Sequence, residues 1–179
     1  MVRRRPLLLS PLLLAAGAAR ARQLPPEVGI EWPQAQLVGQ APLRVWGLHV
    51  YDARLWAPRR PTADDWPQRA FALELVYARA FDGVRIADRS IEEMARQGTL
   101  APDQAERWLA RLRRDIPDVR AGDRLSGLHE PGRPARLHHN GRRVAEWDDA
   151  ELVRRFFGIW LAPQTSEPAL REALLGGRA

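Results

Sequence analysis

The segment from Leu43 to Trp56 brings together polar side chains that could bind a ligand, set among aromatic and aliphatic residues. Arg44, His49 and Asp52 all lie within it. A β-strand rises about 3.3 Å per residue, so an extended segment of this length would cross a large sheet from edge to edge. Successive side chains of a strand point to opposite faces, and a half-polar strand can therefore form the floor of a cavity. This pattern predicts a ligand site on a long strand.

Residue types that many catalytic mechanisms need are absent from the chain. It has no cysteine, and all 28 of its basic residues are arginine, which excludes thiol nucleophiles, thiolate metal sites and lysine Schiff bases. It also lacks a glycine-rich phosphate loop, a Gly-x-Ser-x-Gly motif and a helical pair of histidines. His138 and His139 are adjacent, so on a strand they would face opposite ways and could not share a metal ion. We expect neither a metal site nor a cofactor.

Length and charge indicate one globular domain that does not bind nucleic acid. A chain of 179 residues can bury one substantial core, and 45% hydrophobic with 28% charged residues is typical of a globular protein. Four arginines and no acid lie in the first 21 residues, so the rest of the chain carries only +2 of the formal charge of +6. This near-balanced remainder gives no basic patch of the kind that nucleic-acid-binding proteins show.

Residues 1–21 have the features of a secretory signal peptide. Arg3–Arg5 precede the apolar run Leu7–Leu14, and small residues follow at Ala16–Ala21. The apolar run is too short for a stable membrane-spanning helix, so we expect no stable span after cleavage. The alternative is an uncleaved anchor in the membrane interface. We expect a periplasmic or secreted protein that starts near Ala19–Arg22 and continues through a proline-bearing linker at residues 22–35.

The remaining pattern, residues 36–179, predicts strands, then helices, then strands, then helices. Expected strands are Gln36–Gln40, Leu43–Trp56, Phe71–Phe81, Arg124–Glu130, Ala135–His139 and Arg142–Trp147. Expected helices are Ile86–Gln97, Asp103–Ile116, Asp148–Leu161 and one that opens at Ser166. Asn140-Gly141 between two strands is a strong hairpin signal. The order favours an α+β fold, with an antiparallel sheet covered on one face by a helical layer.

Two local interpretations depend on where the expected elements begin and which way they face. Ser90 and Glu93 have the spacing of a capping box, which would place a helix start at Ser90 and explain Glu93 as a capping residue. Trp46 and Trp56 are large aromatic residues on an expected strand, and side chains of this kind usually lie in a core.

The ordered set of segments resembles the chalcone isomerase-like family. The resemblance is carried by Leu43–Trp56, Phe71–Tyr77, Ile86–Met94, Gly122–Arg124, Asn140-Gly141, Phe156–Leu161 and Gln164–Leu175. It extends from about residue 36 onwards and is greatest to the exported bacterial branch. The resemblance implies an open-faced β-sandwich, in which a cleft for a small, mostly apolar ligand lies between a large antiparallel sheet and the helical layer.

The resemblance also implies roles for individual residues. Arg44 matches the arginine that handles an oxyanion or a carboxylate in isomerases and fatty-acid-binding members, and Tyr51 is nearest to an assisting hydroxyl. The planar guanidinium of Arg44 suits a carboxylate, and the phenol of Tyr51 could add a hydrogen bond. The catalytic tyrosine of the enzymes falls near Ile86, whose apolar side chain cannot donate a proton. This difference argues against ring closure of chalcones.

Strand geometry raises a difficulty for this pair. Residues 44 and 51 have opposite parity, so one ideal strand would point them to opposite faces. Both reach one cleft only if the strand is interrupted, and Gly47 is the expected place. The alternative is that Arg44 pairs with a surface acid and Tyr51 fills the core.

Three functions therefore remain open. The first is binding of a small apolar or carboxylate ligand, such as a fatty acid, by Arg44 and Tyr51. The second is an isomerase or intramolecular lyase in which Arg44 stabilises an oxyanion. The third is a structural or partner-binding module whose cleft is filled with side chains. A cavity of a few hundred Å³ would separate the third from the other two.

Overall fold

The structure is a computed structural model that describes residues 23–177. The expected signal peptide at residues 1–21 lies outside the described residues. The elements in chain order are α1 Pro26–Glu31, β1 Gln36–Val45, β2 Leu48–Ala57, β3 Phe71–Tyr77, α2 Gly83–Ala95, α3 Pro102–Asp115, β4 Arg124–His129, β5 Ala135–His139, β6 Arg142–Trp147, α4 Ala150–Leu161 and α5 Pro168–Leu174. A short 3₁₀ turn, Trp66–Gln68, lies between β2 and β3.

The six strands form one antiparallel sheet in sequence order. Each strand pairs with its neighbours along the chain, and β2 pairs with β3 so that Tyr51 lies opposite Tyr77 and Leu55 opposite Leu73. Consecutive antiparallel strands need only short connections, and the 46-residue stretch between β3 and β4 accommodates α2 and α3. The predicted α+β class and open antiparallel sheet are confirmed.

The long strand expected at Leu43–Trp56 is in fact the end of β1, a tight turn and β2. Trp46 and Gly47 form the turn, with φ angles of 49° and 78°, and Val45 pairs with Leu48 across it. Positive φ at both central positions is typical of a type I′ hairpin turn. The sequence did not reveal this hairpin because tryptophan is a poor residue for positive φ and the apolar pattern runs on through the turn.

The second long strand, expected at Phe71–Phe81, is also shorter than predicted. β3 ends at Tyr77, and Phe81 forms only an isolated antiparallel bridge with Val119. The bridge brings the segment before α2 beside the segment after α3. Both segments therefore lie at the end of the sheet that carries the Trp46-Gly47 turn.

Helices α2 to α5 cover one face of the sheet. Alternate strand residues, such as Leu55, Leu73 and Leu75, point into a core that also contains Met94 from α2 and Phe157 from α4. This alternation with period two matches the pattern that places one face of a strand in a core. The expected position of Ile86–Gln97 and Asp148–Leu161 on one face is confirmed, although the first of these helices begins earlier, at Gly83.

The segment 22–35, expected to be an irregular linker, instead contains the packed helix α1. Val28 and Trp32 are buried against Trp56, Ala72 and Leu128 on the opposite face of the sheet. The helical signal is weak here because α1 has only six residues and most of its stabilisation comes from packing. The sheet is thus covered by four helices on one face and, in part, by a short helix on the other.

The capping-box interpretation of Ser90 and Glu93 is wrong. Helix α2 starts at Gly83 with Asp82 as its N-cap, so Ser90 lies in the helix interior. The Ser90 hydroxyl donates to the carbonyl of Ile86 at 2.7 Å, a bond to the preceding turn that interior serines often form. Glu93 therefore lies in the last turns of α2, where it faces the rest of the protein.

None of the helices within residues 23–177 combines the length and apolar character needed to cross a bilayer.

Candidate functional site

A cavity of about 960 Å³ lies between the sheet and helices α2 and α4. Its wall is mostly apolar. The apolar residues that form its body include Leu73, Leu75, Leu125, Leu137, Phe156 and Ile159. The strand residues among these come from three neighbouring strands and share one face because strand side chains alternate. The alternative in which the cleft is filled with side chains is thus not supported.

Two buried phenols line the cavity, near the end of the sheet that carries the Trp46-Gly47 turn. Tyr51 on β2 and Tyr77 on β3 lie opposite each other, with ring centroids 5.7 Å apart in an edge-on arrangement. Burial, as the main cause, raises the pKa of both hydroxyls well above the usual value for tyrosine. Both phenols therefore stay protonated at any physiological pH and can donate a hydrogen bond.

The hydroxyl of Tyr51 is oriented by an indole. Trp160 on α4 donates its Nε1–H to the Tyr51 oxygen at 2.9 Å. This bond occupies one lone pair of the oxygen and leaves the hydroxyl proton available. Tyr51 is consequently a hydrogen-bond donor held in place from the opposite wall. A ligand with an acceptor oxygen would satisfy it.

A buried carboxylate also lines the cavity. Glu93 is only 6% exposed. Arg89 donates to its Oε1, and Arg96 lies 3.6 Å from its Oε2, which has no hydrogen-bond partner within the part of the chain that the structure describes. The charge of Glu93 adds to the increase in the pKa of Tyr51. Two arginines therefore compensate Glu93, while one of its oxygens stays unsatisfied.

The cavity is open at the end of the sheet that carries the Trp46-Gly47 turn. Exposed side chains of Trp46, Leu48, Arg79 and Arg120 line this mouth. Arg79 and Arg120 lie on the two segments that the Phe81–Val119 bridge holds together. The site therefore combines an apolar interior, a buried pair of phenols and two guanidinium groups at the mouth.

The structure separates the two residues that the sequence paired as a ligand site. Tyr51 lines the cavity, whereas Arg44 is exposed and is not among the lining residues. Leu43 and Val45, on either side of Arg44, do line the cavity, so the arginine points away from it. Gly47 forms the hairpin turn and does not bring Arg44 round to the cavity face. The carboxylate-binding role of Arg44 thus remains a prediction.

Two further interpretations from the sequence concern residues that line the cavity, Ile86 and Trp46. Ile86, in the first turns of α2, lines the cavity, so the position expected for a catalytic phenol carries an apolar side chain. Trp46, expected in a core, is 97% exposed, whereas Trp56 is buried on the opposite face of the sheet. The prediction for Trp46 is wrong because the side chain occupies the tip of a hairpin.

Three functional candidates were not singled out from the sequence. Tyr77 was assigned only to a strand, Glu93 to a cap and Trp160 to a helix. The parity of Tyr77 with Leu73 and Leu75 could have placed it on the ligand face. No local signal shows that Trp160 meets Tyr51, because 109 residues separate them.

The polar groups on the opposite face serve the attachment of α1. Glu27 is buried and accepts hydrogen bonds from the Ser126 hydroxyl at 2.7 Å and from Arg124 at 3.0 Å. Glu74 accepts from the indole of Trp56 at 2.9 Å. These contacts satisfy the buried carboxylates between α1 and the sheet.

Comparisons with known proteins support the fold and leave the activity open. No protein-family model matches the chain. An uncharacterized protein of Haemophilus influenzae is 29% identical over 133 residues, which are 73% of this chain and 63% of that protein, so the match spans less than two thirds of the relative.

A solved structure gives the deciding comparison. The fatty-acid binding protein of Arabidopsis thaliana superposes with a TM-score of 0.60 over 80% of this chain and 87% of that one, at 12% identity. That structure has a chalcone isomerase-like fold. The fold of this chain is chalcone isomerase-like. At 12% identity the likeness concerns the path of the backbone and carries no residue of the site across.

Proposed function

We propose that this chain binds a small amphipathic molecule with a long apolar part, such as a fatty acid, in the cavity between the sheet and helices α2 and α4. The supporting observation is the apolar cavity of about 960 Å³. Pockets that bind small molecules are typically about 300–1,000 Å³ and mostly apolar. The fatty-acid binding function of the similar Arabidopsis protein supports this class of ligand.

The apolar wall would supply most of the binding free energy. Burial of one methylene group contributes about 0.8 kcal/mol, so a long alkyl chain gains several kcal/mol even after the cost of ordering it. The hydroxyls of Tyr51 and Tyr77 then favour a ligand whose acceptor oxygen lies next to this phenol pair. Arg79 and Arg120 offer an alternative place for a carboxylate at the mouth.

The enzymatic alternative has less support. Ile86 lines the cavity where a phenol would be expected in a ring-closing isomerase, and an aliphatic side chain neither positions water nor donates a proton. A chalcone turnover assay with the wild-type chain examines this directly. We expect no turnover above the uncatalysed rate, and rapid turnover would favour the isomerase.

Native mass spectrometry of the purified protein, followed by organic extraction, is the first test of the proposal. We expect one small apolar molecule per protein, because a cavity of about 960 Å³ can hold one long-chain fatty acid. Titration of delipidated protein with palmitate then gives the affinity. Failure to bind palmitate or any other long-chain amphiphile would reject the proposal.

A matched pair of variants locates the bound molecule. Ile159 is partly buried and lines the cavity, whereas Ile30 on α1 is 80% exposed on the opposite face. Ile159→Trp should weaken palmitate binding at least about tenfold because the indole fills part of the cavity. Ile30→Trp, the same change elsewhere, should leave the affinity unchanged. Equal affinities would place the ligand outside this cavity.

Export belongs to the proposal as well, since we infer a periplasmic or secreted member of the exported bacterial branch. The charged start, apolar run and small residues of the first 21 residues support it. N-terminal sequencing of the exported form should give a start near Ala19–Arg22. An intact Met1 in a soluble cytoplasmic fraction would contradict it.

A further inference from the structure

The tip of the β1–β2 hairpin is an exposed apolar surface. Val45 is 41% exposed, Trp46 97% and Leu48 55%. Single exposed apolar residues are common on protein surfaces, but a contiguous group usually marks an interaction site. We call Val45, Trp46, Gly47 and Leu48 the hairpin tip.

Trp46 does not serve the fold at this position. It has a φ of 49°, which an L-residue with a large side chain rarely adopts, and its exposed ring packs against almost nothing. The β5–β6 hairpin reaches the same geometry with Asn140 at 52° and Gly141 at 84°, the preferred pair for this turn. The hairpin tip therefore carries a tryptophan at a cost to folding, which a contact from outside residues 23–177 would compensate.

The hairpin tip is continuous with the proposed ligand cavity. Val45, Trp46 and Leu48 all belong to its lining. An apolar molecule that leaves the cavity past these side chains would stay in contact with apolar surface. A partner that covers the hairpin tip therefore also contacts the mouth of the cavity.

The surroundings of the hairpin tip carry unpaired positive charge. Arg44, Arg79 and Arg120 are exposed, and none of them forms an ion pair within residues 23–177. Among the acids of the cavity lining, Asp82 lies 3.4 Å from Arg85 and Asp118 accepts from the backbone of Gly83 at 2.8 Å, whereas Glu167 forms no ion pair within residues 23–177. An exposed tryptophan surrounded by arginines is complementary to a surface with apolar depth and anionic headgroups.

We propose that the hairpin tip inserts into the interface of an anionic lipid bilayer and presents the cavity mouth to the membrane, so that the apolar ligand passes between bilayer and cavity. The transfer step rests on the proposed function, whereas the insertion does not. Tryptophan favours the headgroup level of bilayers, and interfacial elements bury their apolar side only about 5–10 Å deep, a depth that a two-residue turn can reach. Arginines near anionic lipids strengthen such contacts.

Fluorescence quenching by lipids with brominated acyl chains tests the insertion on the full chain. Of the seven tryptophans, Trp46 is 97% exposed, the other six are buried, and residues 1–22 contain none. Quenching by vesicles of phosphatidylcholine and phosphatidylglycerol therefore reports on the hairpin tip even if the N-terminal segment also contacts lipid. We expect strong quenching in the wild type and its loss in Trp46→Asn, which suits the turn and should fold.

A second pair of variants tests the charge. Arg79→Gln with Arg120→Gln should raise the phosphatidylglycerol content needed for half-maximal quenching and weaken tip insertion about tenfold. The control is Arg59→Gln with Arg154→Gln, which removes the same charge. Arg59 lies in the loop after β2, about 30 Å along the strand from the hairpin tip, and Arg154 lines a small cleft beside the same loop. The control should behave like the wild type.

Three results would overturn the insertion. The first is no quenching in the presence of vesicles, and the second is equal quenching in the wild type and Trp46→Asn. The third is a dimer in solution that Trp46→Asn converts to a monomer, since a second copy would then cover the hairpin tip. Palmitate titration without vesicles separates these results from failure of the proposed function, because ligand binding in solution does not require a bilayer.

Discussion

At the scale of single residues, the chemistry of the cavity depends on a phenol that stays protonated at physiological pH. The hydroxyl of Tyr51 accepts a hydrogen bond from Trp160, and burial keeps its pKa high. Tyr51 therefore acts as a neutral donor, which suits a carbonyl or carboxyl oxygen. A donor of this kind contributes selectivity, and the apolar wall contributes affinity.

We expect Tyr51→Phe to weaken palmitate binding by about 0.5–1.5 kcal/mol, the usual contribution of one hydrogen bond. Calorimetric titration of both proteins measures the difference. An alkane of the same chain length, which offers no acceptor, should bind wild type and variant equally. Equal palmitate affinities would show that the carboxyl group lies elsewhere, with the mouth arginines as the next candidates.

We expect Arg44→Ala to change palmitate affinity by less than about 0.5 kcal/mol, as is usual for an exposed side chain remote from the ligand. The reason is that Arg44 is exposed and points away from the cavity. A desolvated arginine paired with a carboxylate would instead lose about 2–5 kcal/mol on truncation. A loss of binding free energy of that size would show that Arg44 binds the carboxylate, as the sequence predicted.

At the scale of elements, α1 shows how a short helix is held by a few buried contacts. Val28 and Trp32 pack on the sheet, and Glu27 forms hydrogen bonds with Ser126 and Arg124. A helix of six residues is not stable alone, so these contacts determine its position. The α1 helix thereby covers the face of the sheet that the other helices leave open.

We expect Glu27→Ala to lower the free energy of unfolding by about 1–3 kcal/mol, because Ser126 and Arg124 then lose a buried partner. Urea denaturation monitored by circular dichroism gives this value. Ile30→Ala on the same helix is the control. Its side chain is 80% exposed, and we expect a change within about 0.5 kcal/mol. Similar effects of the two changes would mean that Glu27 does not hold α1 in place.

At the scale of the whole molecule, stability should depend on pH through two partly buried histidines. Burial lowers the pKa of His129 and His138 below the ordinary 6.5. Between the lowered pKa and 6.5, the unfolded chain binds more protons than the folded one. Stability therefore rises with pH across this window and is lost as pH falls through it.

The free energy of unfolding should accordingly decrease as pH is lowered from about 7 to 5, above the range in which carboxylates titrate. Urea denaturation at a series of pH values measures the slope. His129→Gln should make the slope shallower, even if it lowers stability at every pH by loss of the bond to Pro67. An unchanged slope would assign the effect to other groups.

The sequence by itself determined the order of the elements and the class of the fold. Local signals were sufficient for this, because Asn140-Gly141 specifies a turn and the spacing of Trp108 and Leu112 specifies one face of a helix. The first hairpin escaped prediction because Trp46-Gly47 lacks the residues that usually mark such a turn. The cleft was predicted from the resemblance to the chalcone isomerase-like family, and the comparison of structures supports that fold.

Only the tertiary structure decided which side chains share the cavity. The turn at Trp46-Gly47 fixes the register of β1 against β2, and with it the face on which Arg44 lies. The start of α2 at Gly83 determines that Glu93 faces the cavity, and the packing of α4 on the sheet brings Trp160 to Tyr51. These relations depend on contacts between residues distant in sequence. Local periodicity reports which side of an element is buried, but it does not report which side chains from other elements lie opposite.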